Sequence, residues 1–393
     1  MSSELKRVWF PGPVIIGAGP SGLAAAACLK EKGVPSLILE RENCIASLWK
    51  MKTYDRLKLH LPKKFCQLPY MEFPSEISDY LTKEQFISYL DAYAKRYSID
   101  PMFGEEVRLA EYDSNLGFWR VQTKEFDFIC RWLIVSAGEN AEPVLPEITG
   151  ISDFQGRVLH SSLYENGADF EGERVLVVGC GNSGMEISLD LCNSGAQTSL
   201  VVRNKLHVLP REMFGRSTFA LSMGLLKWFP RKLVDCFLLL CSWFILGDTA
   251  RYGFKRPEVG PLELKATKGK TPVLDVGTLD RIKTGQIKVV PSIHKFTTTG
   301  VEFSDGRVEE FGSVILATGY RSNVCSWLKE AEFFNQKGYP QNPFPNSWKG
   351  KKGLYSVGFT GRGLSAESMD AKKVAEDIAR QWHSETKHLP MEL

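Results

Sequence analysis

Gly17-Ala18-Gly19-Pro20-Ser21-Gly22 follows the apolar run Val14-Ile15-Ile16 and precedes a helix-like segment from Leu23 to Lys30. A strand, a glycine-rich turn and a helix in this order are typical of a fold that binds a dinucleotide. The first glycine permits the tight turn, the second lets the backbone approach a pyrophosphate, and the third lets the helix pack closely against the strand. We therefore expect a pyrophosphate at the N-terminus of this helix, where backbone N–H groups point at the ligand.

The same arrangement occurs a second time in the chain. Gly179-Cys180-Gly181-Asn182-Ser183-Gly184 lies between the apolar run Val175-Leu176-Val177-Val178 and a helix-like segment from Met185 to Cys192. A single glycine motif would be weak evidence, but two motifs in the right context predict that two dinucleotides bind to one protein. The sequence therefore predicts an α/β fold with two Rossmann-like dinucleotide-binding domains.

The strand after each turn ends in a residue suited to the ribose of a dinucleotide. Glu40 lies 18 positions after Gly22, where a carboxylate accepts hydrogen bonds from ribose hydroxyls and repels a 2′-phosphate, as FAD or NAD requires. Arg203 lies 19 positions after Gly184, where a guanidinium suits the 2′-phosphate of NADP. Lys205 is a weaker candidate for the same phosphate. The alternative for Glu40 and Arg203 is a solvated charge at a strand end.

The segment Phe154–Tyr164 reads F-x-G-x-x-x-H-x-x-x-Y. Here the sequence resembles the class B flavin-dependent monooxygenases, which carry this pattern between two dinucleotide-binding turns. The resemblance extends to the plant YUCCA branch of that class over almost the whole chain, on Leu48-Trp49, Thr53–Lys63, Phe65–Pro69, Gly138–Pro143 and Gly353–Phe359. Without the resemblance, Phe154 and Tyr164 are ordinary core aromatics and His160 is a structural histidine.

The resemblance implies both a reaction and its cofactors. The YUCCA branch oxidatively decarboxylates indole-3-pyruvate, a 2-oxo acid, to the auxin indole-3-acetate, using FAD, NADPH and O2. It implies flavin contacts at Trp49 and over Arg56–Lys63, although solvated basic residues are the alternative for the latter. It implies a structural and cofactor-binding role for Phe154–Tyr164 rather than acid–base catalysis. No catalytic side chain is identified, and Arg211, Arg216 and Arg251 are unranked candidates to bind the substrate carboxylate.

The expected domain organisation is an FAD domain that is split by an inserted NADPH domain. Its boundaries are residues 1–169 for the first part of the FAD domain, 170–290 for the NADPH domain and 291–393 for the return to the FAD domain. The NADPH domain includes an apolar helical insertion at about 217–251.

Two apolar strands that end in small residues are expected where the chain crosses between the domains. They are Trp132–Gly138 and Val314–Tyr320. The second contains Ala317-Thr318-Gly319, which resembles the family's triplet at a domain crossing, so Thr318 and Gly319 are predicted to contact a cofactor. The first departs from the family pattern, because Ser136-Ala137 stands where alanine and threonine are usual.

Composition excludes several classes of function. The chain has 393 residues, 43% hydrophobic and 24% charged, with a net charge of +3 that does not favour nucleic-acid binding. Its nine cysteines contain no C-x-x-C pair, which indicates free thiols and counts against a dithiol reductase of the thioredoxin-reductase type. The six histidines show no metal-ligand spacing, so no metal site is predicted.

The sequence predicts a cytoplasmic protein without a transmembrane segment. Met1–Pro11 does not resemble a signal peptide, and the apolar run Cys236–Gly247 has 12 residues, whereas a spanning helix needs about 20. Three interpretations of the aromatic segment Phe219–Arg251 stay open: an apolar lid over the active site, a helical hairpin packed on the core, or a membrane-surface patch. The third would give peripheral contact, for example at the endoplasmic reticulum surface.

Two other functions remain as alternatives. One is a class B monooxygenase that oxygenates a nucleophilic nitrogen or sulfur atom. The other is a flavin-bound redox sensor that does not oxygenate, for which the departure at Ser136-Ala137 leaves room.

Overall fold

The computed structural model describes residues 5–330, 332–361 and 363–386. The ends of the expected first and last domain segments, residues 1–4 and 387–393, lie outside this range. The chain separates into two compact units. Unit 1 comprises the described parts of Met1–Met51, Lys63–Glu142 and Tyr320–Leu393, and unit 2 comprises Lys52–Pro62 and Pro143–Gly319.

The α-helices of the described residues are numbered here in chain order. They are α1 (Pro20–Glu31), α2 (Ser47–Met51), α3 (Lys83–Arg96), α4 (Asn182–Asn193), α5 (Thr218–Leu225), α6 (Arg231–Leu246), α7 (Pro261–Lys268), α8 (Thr278–Lys283), α9 (Val324–Trp327) and α10 (Leu364–Thr386). Short 3₁₀ turns lie at Lys63–Phe65, Ile151–Asp153, Ser161–Leu163, Ala168–Phe170 and Thr249–Tyr252.

Unit 1 is built on a parallel sheet of five strands. Their order is Leu354–Ser356, Leu133–Val135, Val14–Ile16, Leu37–Glu40 and Met102–Phe103. A second five-stranded sheet has the order Lys6–Trp9, Phe126–Cys130, Phe118–Gln122, Leu109–Asp113 and Leu328–Lys329, with antiparallel pairs in its middle.

Unit 2 repeats the parallel five-stranded design. The strand order is Arg157–His160, Ser313–Leu316, Arg174–Val178, Gln197–Val201 and Ile287–Val290. An antiparallel sheet contains Ile293–Phe296, Gly300–Phe303 and Val308–Glu310. Two-stranded pairs join Val208–Pro210 to Val273–Asp275 and Glu212–Met213 to Arg216–Ser217. Short strands at Glu142–Pro143 and Tyr320–Arg321 lie where the chain passes from one unit to the other.

The cores explain why these segments form strands and helices. Val14–Ile16 and Leu133–Val135 are buried at every position, as expected for central strands of a parallel sheet that is covered on both faces. Helix α1 begins with Pro20, whose missing N–H is no loss at the first helical position, and its buried alanines 24–27 allow close packing. The predicted α/β class with two Rossmann-like folds is confirmed.

The boundaries of the units differ from those inferred from the sequence. Residues 143–169 and 291–319 belong to unit 2, although the sequence assigned them to the FAD domain. The physical reason is strand pairing, because Ser313–Leu316 lies between Arg157–His160 and Arg174–Val178 in the parallel sheet of unit 2. Hydrophobic periodicity identifies a buried strand but does not say which of two similar sheets it joins.

Candidate dinucleotide-binding sites

The first glycine-rich turn has the geometry that the sequence predicts. Gly17 has a φ of +103°, which favours glycine, and a Cβ at Gly22 would overlap the carbonyl oxygen of Gly17. At Gly19, which immediately precedes α1, a Cβ would meet no heavy atom within 4 Å. The outer glycines are thus required by packing, whereas Gly19 leaves open space beside the helix N-terminus, as a pyrophosphate requires.

Glu40 is fixed beside this turn by backbone hydrogen bonds. Its side chain lies at the end of the strand Leu37–Glu40 and is 6% exposed. Oε2 accepts a 2.7 Å hydrogen bond from the N–H of Ala18, and Oε1 accepts a 3.0 Å bond from the N–H of Glu42. Each carboxylate oxygen keeps acceptor capacity for a further donor, so the arrangement suits a ribose hydroxyl.

Ser136 supports the same turn from a neighbouring strand. Its Oγ lies 2.9 Å from the carbonyl oxygen of Ile16, to which it donates, and 3.2 Å from that of Gly17. The residue at which this chain departs from the family pattern therefore holds the first turn in place.

A carboxylate that sequence reasoning missed lies at the start of α1. Ser21 Oγ donates a 2.7 Å hydrogen bond to Oε2 of Glu367, a residue of α10 that is 346 positions away. Burial raises the pKa of Glu367 to about 7, although the bond from Ser21 acts in the opposite direction. Gly358, with a φ of +96°, passes so close to Ser21 that a Cβ there would overlap its Oγ. No local pattern connects these segments, so only the fold reveals the contact.

Trp49 lies in α2 and is half-buried. Its ring packs edge-to-face on Phe86 with 4.6 Å between centroids. Its predicted flavin contact stays a prediction.

The second turn repeats the geometry of the first. Gly179 has a φ of +110°, and a Cβ at Gly184 would overlap the carbonyl oxygen of Gly179. Gly181 precedes α4, and a Cβ there would meet no heavy atom within 4 Å. Oδ1 of Asn182 accepts a 2.9 Å hydrogen bond from the N–H of Leu274, which ties the start of α4 to a neighbouring strand. The two turns thus offer the same open approach to an anion.

Arg203 is exposed and lies within electrostatic range of the second turn. Burial raises the pKa of the Cys180 thiol to about 11, and the positive charge of Arg203 acts in the opposite direction. Among the described residues Arg203 forms no ion pair. Its guanidinium therefore retains its donors for a phosphate.

The segment Phe154–Tyr164 has structural partners within unit 2. Phe154 packs near Phe296 with 5.5 Å between centroids, and the hydroxyl of Tyr164 donates a 2.7 Å hydrogen bond to Asp190 of α4. A Cβ at Gly156 would overlap the ring of Phe154. These contacts are those of a packed connection rather than of a reacting group.

His160 is neutral and holds the end of a sheet strand. Burial lowers its pKa, while a hydrogen bond to Gly319 acts in the opposite direction. Nε2 lies 3.1 Å from the carbonyl oxygen of Gly319 and therefore donates, whereas Nδ1 accepts from the N–H of Ser162 at 3.1 Å. Both ring nitrogens are thus occupied, in agreement with a structural role.

Thr318 and Gly319 are the last two residues of unit 2. Thr318 Oγ1 donates a 2.6 Å hydrogen bond to the carbonyl oxygen of Val144, and the N–H of Val144 donates a 2.9 Å bond to the carbonyl oxygen of Gly319. Gly319 has a φ of +85°, and a Cβ there would meet no heavy atom within 4 Å. Their predicted cofactor contact stays a prediction.

The segment Lys52–Pro62, where the resemblance placed flavin contacts for Arg56 onwards, belongs to unit 2. Nε2 of His60 lies 2.6 Å from Oε1 of Glu186, a 3% exposed residue of α4. Burial raises the pKa of the Tyr54 hydroxyl, which also interacts with Ser183 and Glu186. This polar cluster at the start of α4 was missed because its members come from distant parts of the sequence.

The three candidate cations for the substrate carboxylate also lie in unit 2. Arg211 is half-buried, Arg216 is exposed, and Arg251 is 79% exposed with its Nε 3.4 Å from Asp248.

The segment Phe219–Arg251 contains α5 and α6 and leads into a 3₁₀ turn. One face of α6 is buried, as the core-packed hairpin requires, whereas Trp243 and Phe244 are 51% and 72% exposed. Among the described helices none is both long and apolar enough to cross a membrane.

Comparisons with known proteins agree with this geometry. Residues 14–211 match the family described as pyridine nucleotide-disulphide oxidoreductase. The chain is 59% identical to indole-3-pyruvate monooxygenase YUCCA6 of Arabidopsis thaliana, with 97% of this chain and 93% of that protein aligned. It is 55% identical to indole-3-pyruvate monooxygenase YUCCA1 of Oryza sativa subsp. japonica, with 97% and 94% aligned.

Solved structures show the same fold at low sequence identity. A flavin-containing monooxygenase from Stenotrophomonas maltophilia is 20% identical, with a TM-score of 0.71 over 96% of this chain and 100% of that one. A steroid monooxygenase bound to NADP is 18% identical, with a TM-score of 0.76 over 96% and 85%.

Proposed function

The chain belongs to the YUCCA family of indole-3-pyruvate monooxygenases, and from this premise we propose that it converts indole-3-pyruvate to the auxin indole-3-acetate with FAD, NADPH and O2. The observation that carries the proposal is identity of 54% to 59% with these enzymes over nearly the full chain. Both glycine turns have the open geometry that two dinucleotides need.

The reaction balances with one O2 and one NADPH. The bond between the ketone carbon and the carboxylate carbon breaks, and the carboxylate leaves as CO2. One oxygen atom of O2 enters the new carboxylate of indole-3-acetate and the other leaves as water. When bound, FAD supplies the chemistry that activates O2, and NADPH supplies the reducing equivalents.

Unit 1 holds FAD in this proposal. The start of α1 binds the pyrophosphate, and Gly19 gives it room. Glu40 accepts hydrogen bonds from a ribose hydroxyl while Ala18 and Glu42 keep its carboxylate in place. Trp49 contributes a further contact.

Unit 2 holds NADPH through the second turn. Gly181 gives room for the pyrophosphate at the start of α4, and Arg203 binds the 2′-phosphate. Thr318 and Gly319 lie after the strand Ser313–Leu316, at the carboxyl end of a parallel sheet, which is where ligands bind in such folds. His160 keeps the segment after this strand in position through the hydrogen bond between its Nε2 and the carbonyl oxygen of Gly319.

The substrate is a small 2-oxo acid and the protein acts in the cytoplasm. A 2-oxo acid needs a cation for its carboxylate, and Arg211, Arg216 and Arg251 remain the candidates.

The experiment is a steady-state assay of the FAD-loaded protein with NADPH, air and indole-3-pyruvate. Catalase is present throughout, because free hydrogen peroxide decarboxylates 2-oxo acids without an enzyme. We expect indole-3-acetate and oxidised NADPH in a ratio near one. Oxidation of NADPH without indole-3-acetate would contradict the proposal and leave a flavoprotein that does not oxygenate this acid. Turnover of a thioether or tertiary amine instead would identify the heteroatom-oxygenating alternative.

A further inference from the structure

Helix α6 exposes an uninterrupted apolar stripe. Leu233, Phe237, Leu240, Trp243 and Phe244 recur at helical spacing and are 58%, 39%, 56%, 51% and 72% exposed. A surface helix of a globular protein normally turns its polar face to water. On α6 the outward face from Leu233 to Phe244 carries no charged side chain.

The helix cannot bury this stripe by rotating, because its opposite face is already fixed. Val234, Leu238 and Cys241 pack in one buried cluster with Leu209 and Met213. Polar contacts hold the same face in place.

Asp235 and Ser242 make these polar contacts. The carboxylate of Asp235 accepts hydrogen bonds from the N–H groups of Leu262 and Glu263, at 2.8 and 3.1 Å. Ser242 Oγ donates a 3.1 Å bond to the carbonyl oxygen of Val208. The stripe is therefore held outward by the fold.

Further large apolar side chains adjoin the stripe in sequence. Trp228 and Phe229, just before α6, are 83% and 51% exposed, and Ile245 near its end is 45% exposed. Single exposed apolar residues are ordinary, but an accumulation of this kind marks an interaction surface.

The start of α6 adds positive charge. Lys227, Arg231 and Lys232 are exposed there. Nη1 of Arg231 lies 3.1 Å from Oε2 of Glu263, whereas Lys227 and Lys232 form no ion pair with any described residue. Residues 211–256 contain eight basic and three acidic residues, a net charge of +5, compared with +3 for the whole chain. An acidic surface is the complementary partner.

We propose that this hairpin surface, the outward stripe of α6 with Trp228, Phe229 and the basic residues at 227, 231 and 232, docks the protein on an anionic lipid membrane. Helix α6 has 16 residues, about 24 Å, and its polar contacts tie one face to the protein, so it lies in the plane of the membrane surface. Tryptophan and phenylalanine enter the headgroup boundary, and lysine and arginine meet anionic headgroups.

The test is flotation of the FAD-loaded full chain with vesicles of phosphatidylcholine alone or with 30% phosphatidylserine. We expect binding to the anionic vesicles that weakens as salt increases. The variant Leu240→Gln/Trp243→Gln/Phe244→Gln is expected to bind at least about tenfold more weakly. The variant Lys227→Gln/Lys232→Gln is expected to lose about fivefold for each lysine, and only on anionic vesicles.

A matched control replaces apolar residues of similar exposure outside the hairpin. Leu116, Leu163 and Val308 are 55%, 70% and 60% exposed, and their triple glutamine variant is expected to bind vesicles as the wild type does. Flavin content and thermal unfolding verify that each variant is folded.

Three results would overturn the membrane proposal. The first is a wild-type protein that floats with neither kind of vesicle, and the second is equal binding by the α6 variant. The third is a dimer in light scattering that the α6 variant abolishes while vesicle binding stays unchanged, which would assign the face to a second copy of the chain.

Discussion

Replacing Gly181 by alanine separates folding from NADPH binding. Gly181 has a φ of −73° and a ψ of −174°, a conformation that alanine adopts freely. A Cβ there meets no heavy atom within 4 Å. Alanine is a poorer helix cap than glycine, so we expect a loss of about 1 kcal/mol or less in the free energy of unfolding.

The same methyl group occupies the space that the pyrophosphate needs. Displacing one charge-assisted hydrogen bond between a backbone N–H and a phosphate costs about 1.5–3 kcal/mol. The Kd for NADP⁺ should therefore rise roughly 10- to 150-fold, while the affinity for FAD stays unchanged because its turn is in unit 1.

The assay is calorimetric titration of the FAD-loaded variant with NADP⁺. The matched control is Gly19→Ala, whose Cβ also meets no heavy atom within 4 Å and which should weaken FAD while sparing NADP⁺. Wild-type NADP⁺ affinity in Gly181→Ala would show that the pyrophosphate does not occupy the space beside Gly181. If both variants fold but each loses affinity for both cofactors, the assignment of one dinucleotide to each turn would also be wrong.

Arg203, Gly22 and Asp370 give three further predictions. Arg203→Ala should remove most of the preference for NADPH over NADH, measured as the ratio of kcat/KM values, and an unchanged ratio would mean that another residue binds the 2′-phosphate. Gly22→Ala should fail to fold or unfold at much lower temperature, because its Cβ overlaps the Gly17 carbonyl oxygen; a thermal melt like that of wild type would contradict this. Burial raises the pKa of Asp370 from 3.8 to about 7, so the folded state holds this proton more tightly than the unfolded chain does. The free energy of unfolding therefore falls as pH rises from about 4 to about 7, by about 1.4 kcal/mol for each pH unit. Denaturant unfolding of Asp370→Asn should show a smaller decrease in the free energy of unfolding with pH than the wild type shows. Equal slopes in the variant and the wild type would contradict the assigned pKa.

The sequence predicts the parts of the fold that depend on local chemistry. Both glycine turns need positive φ at their first glycine and close packing at their third, and such demands are visible in a short pattern. The position of Glu40 follows from the length of one helix and one strand.

Contacts between distant segments were not predictable from one sequence. Lys52–Pro62 joins unit 2, although the residues on both sides of it belong to unit 1. The bond between Ser21 and Glu367 joins residues 346 positions apart. Neither feature produces a periodic pattern in the sequence, because each depends on how completed helices and strands pack together.

The outward apolar face of α6 could be predicted only in part from the sequence. Its composition was evident from the sequence, but helical spacing alone did not reveal which face is buried. The contacts of Asp235 and Ser242 decide the orientation of the helix.

A single turnover with labelled oxygen tests the monooxygenase activity directly. FAD-loaded protein is reduced by one equivalent of NADPH without air and then mixed with ¹⁸O₂, indole-3-pyruvate and catalase. We expect one indole-3-acetate for each reduced flavin, with one ¹⁸O atom in its carboxylate. Reoxidation of the flavin without labelled indole-3-acetate would contradict the claim that this chain is an indole-3-pyruvate monooxygenase.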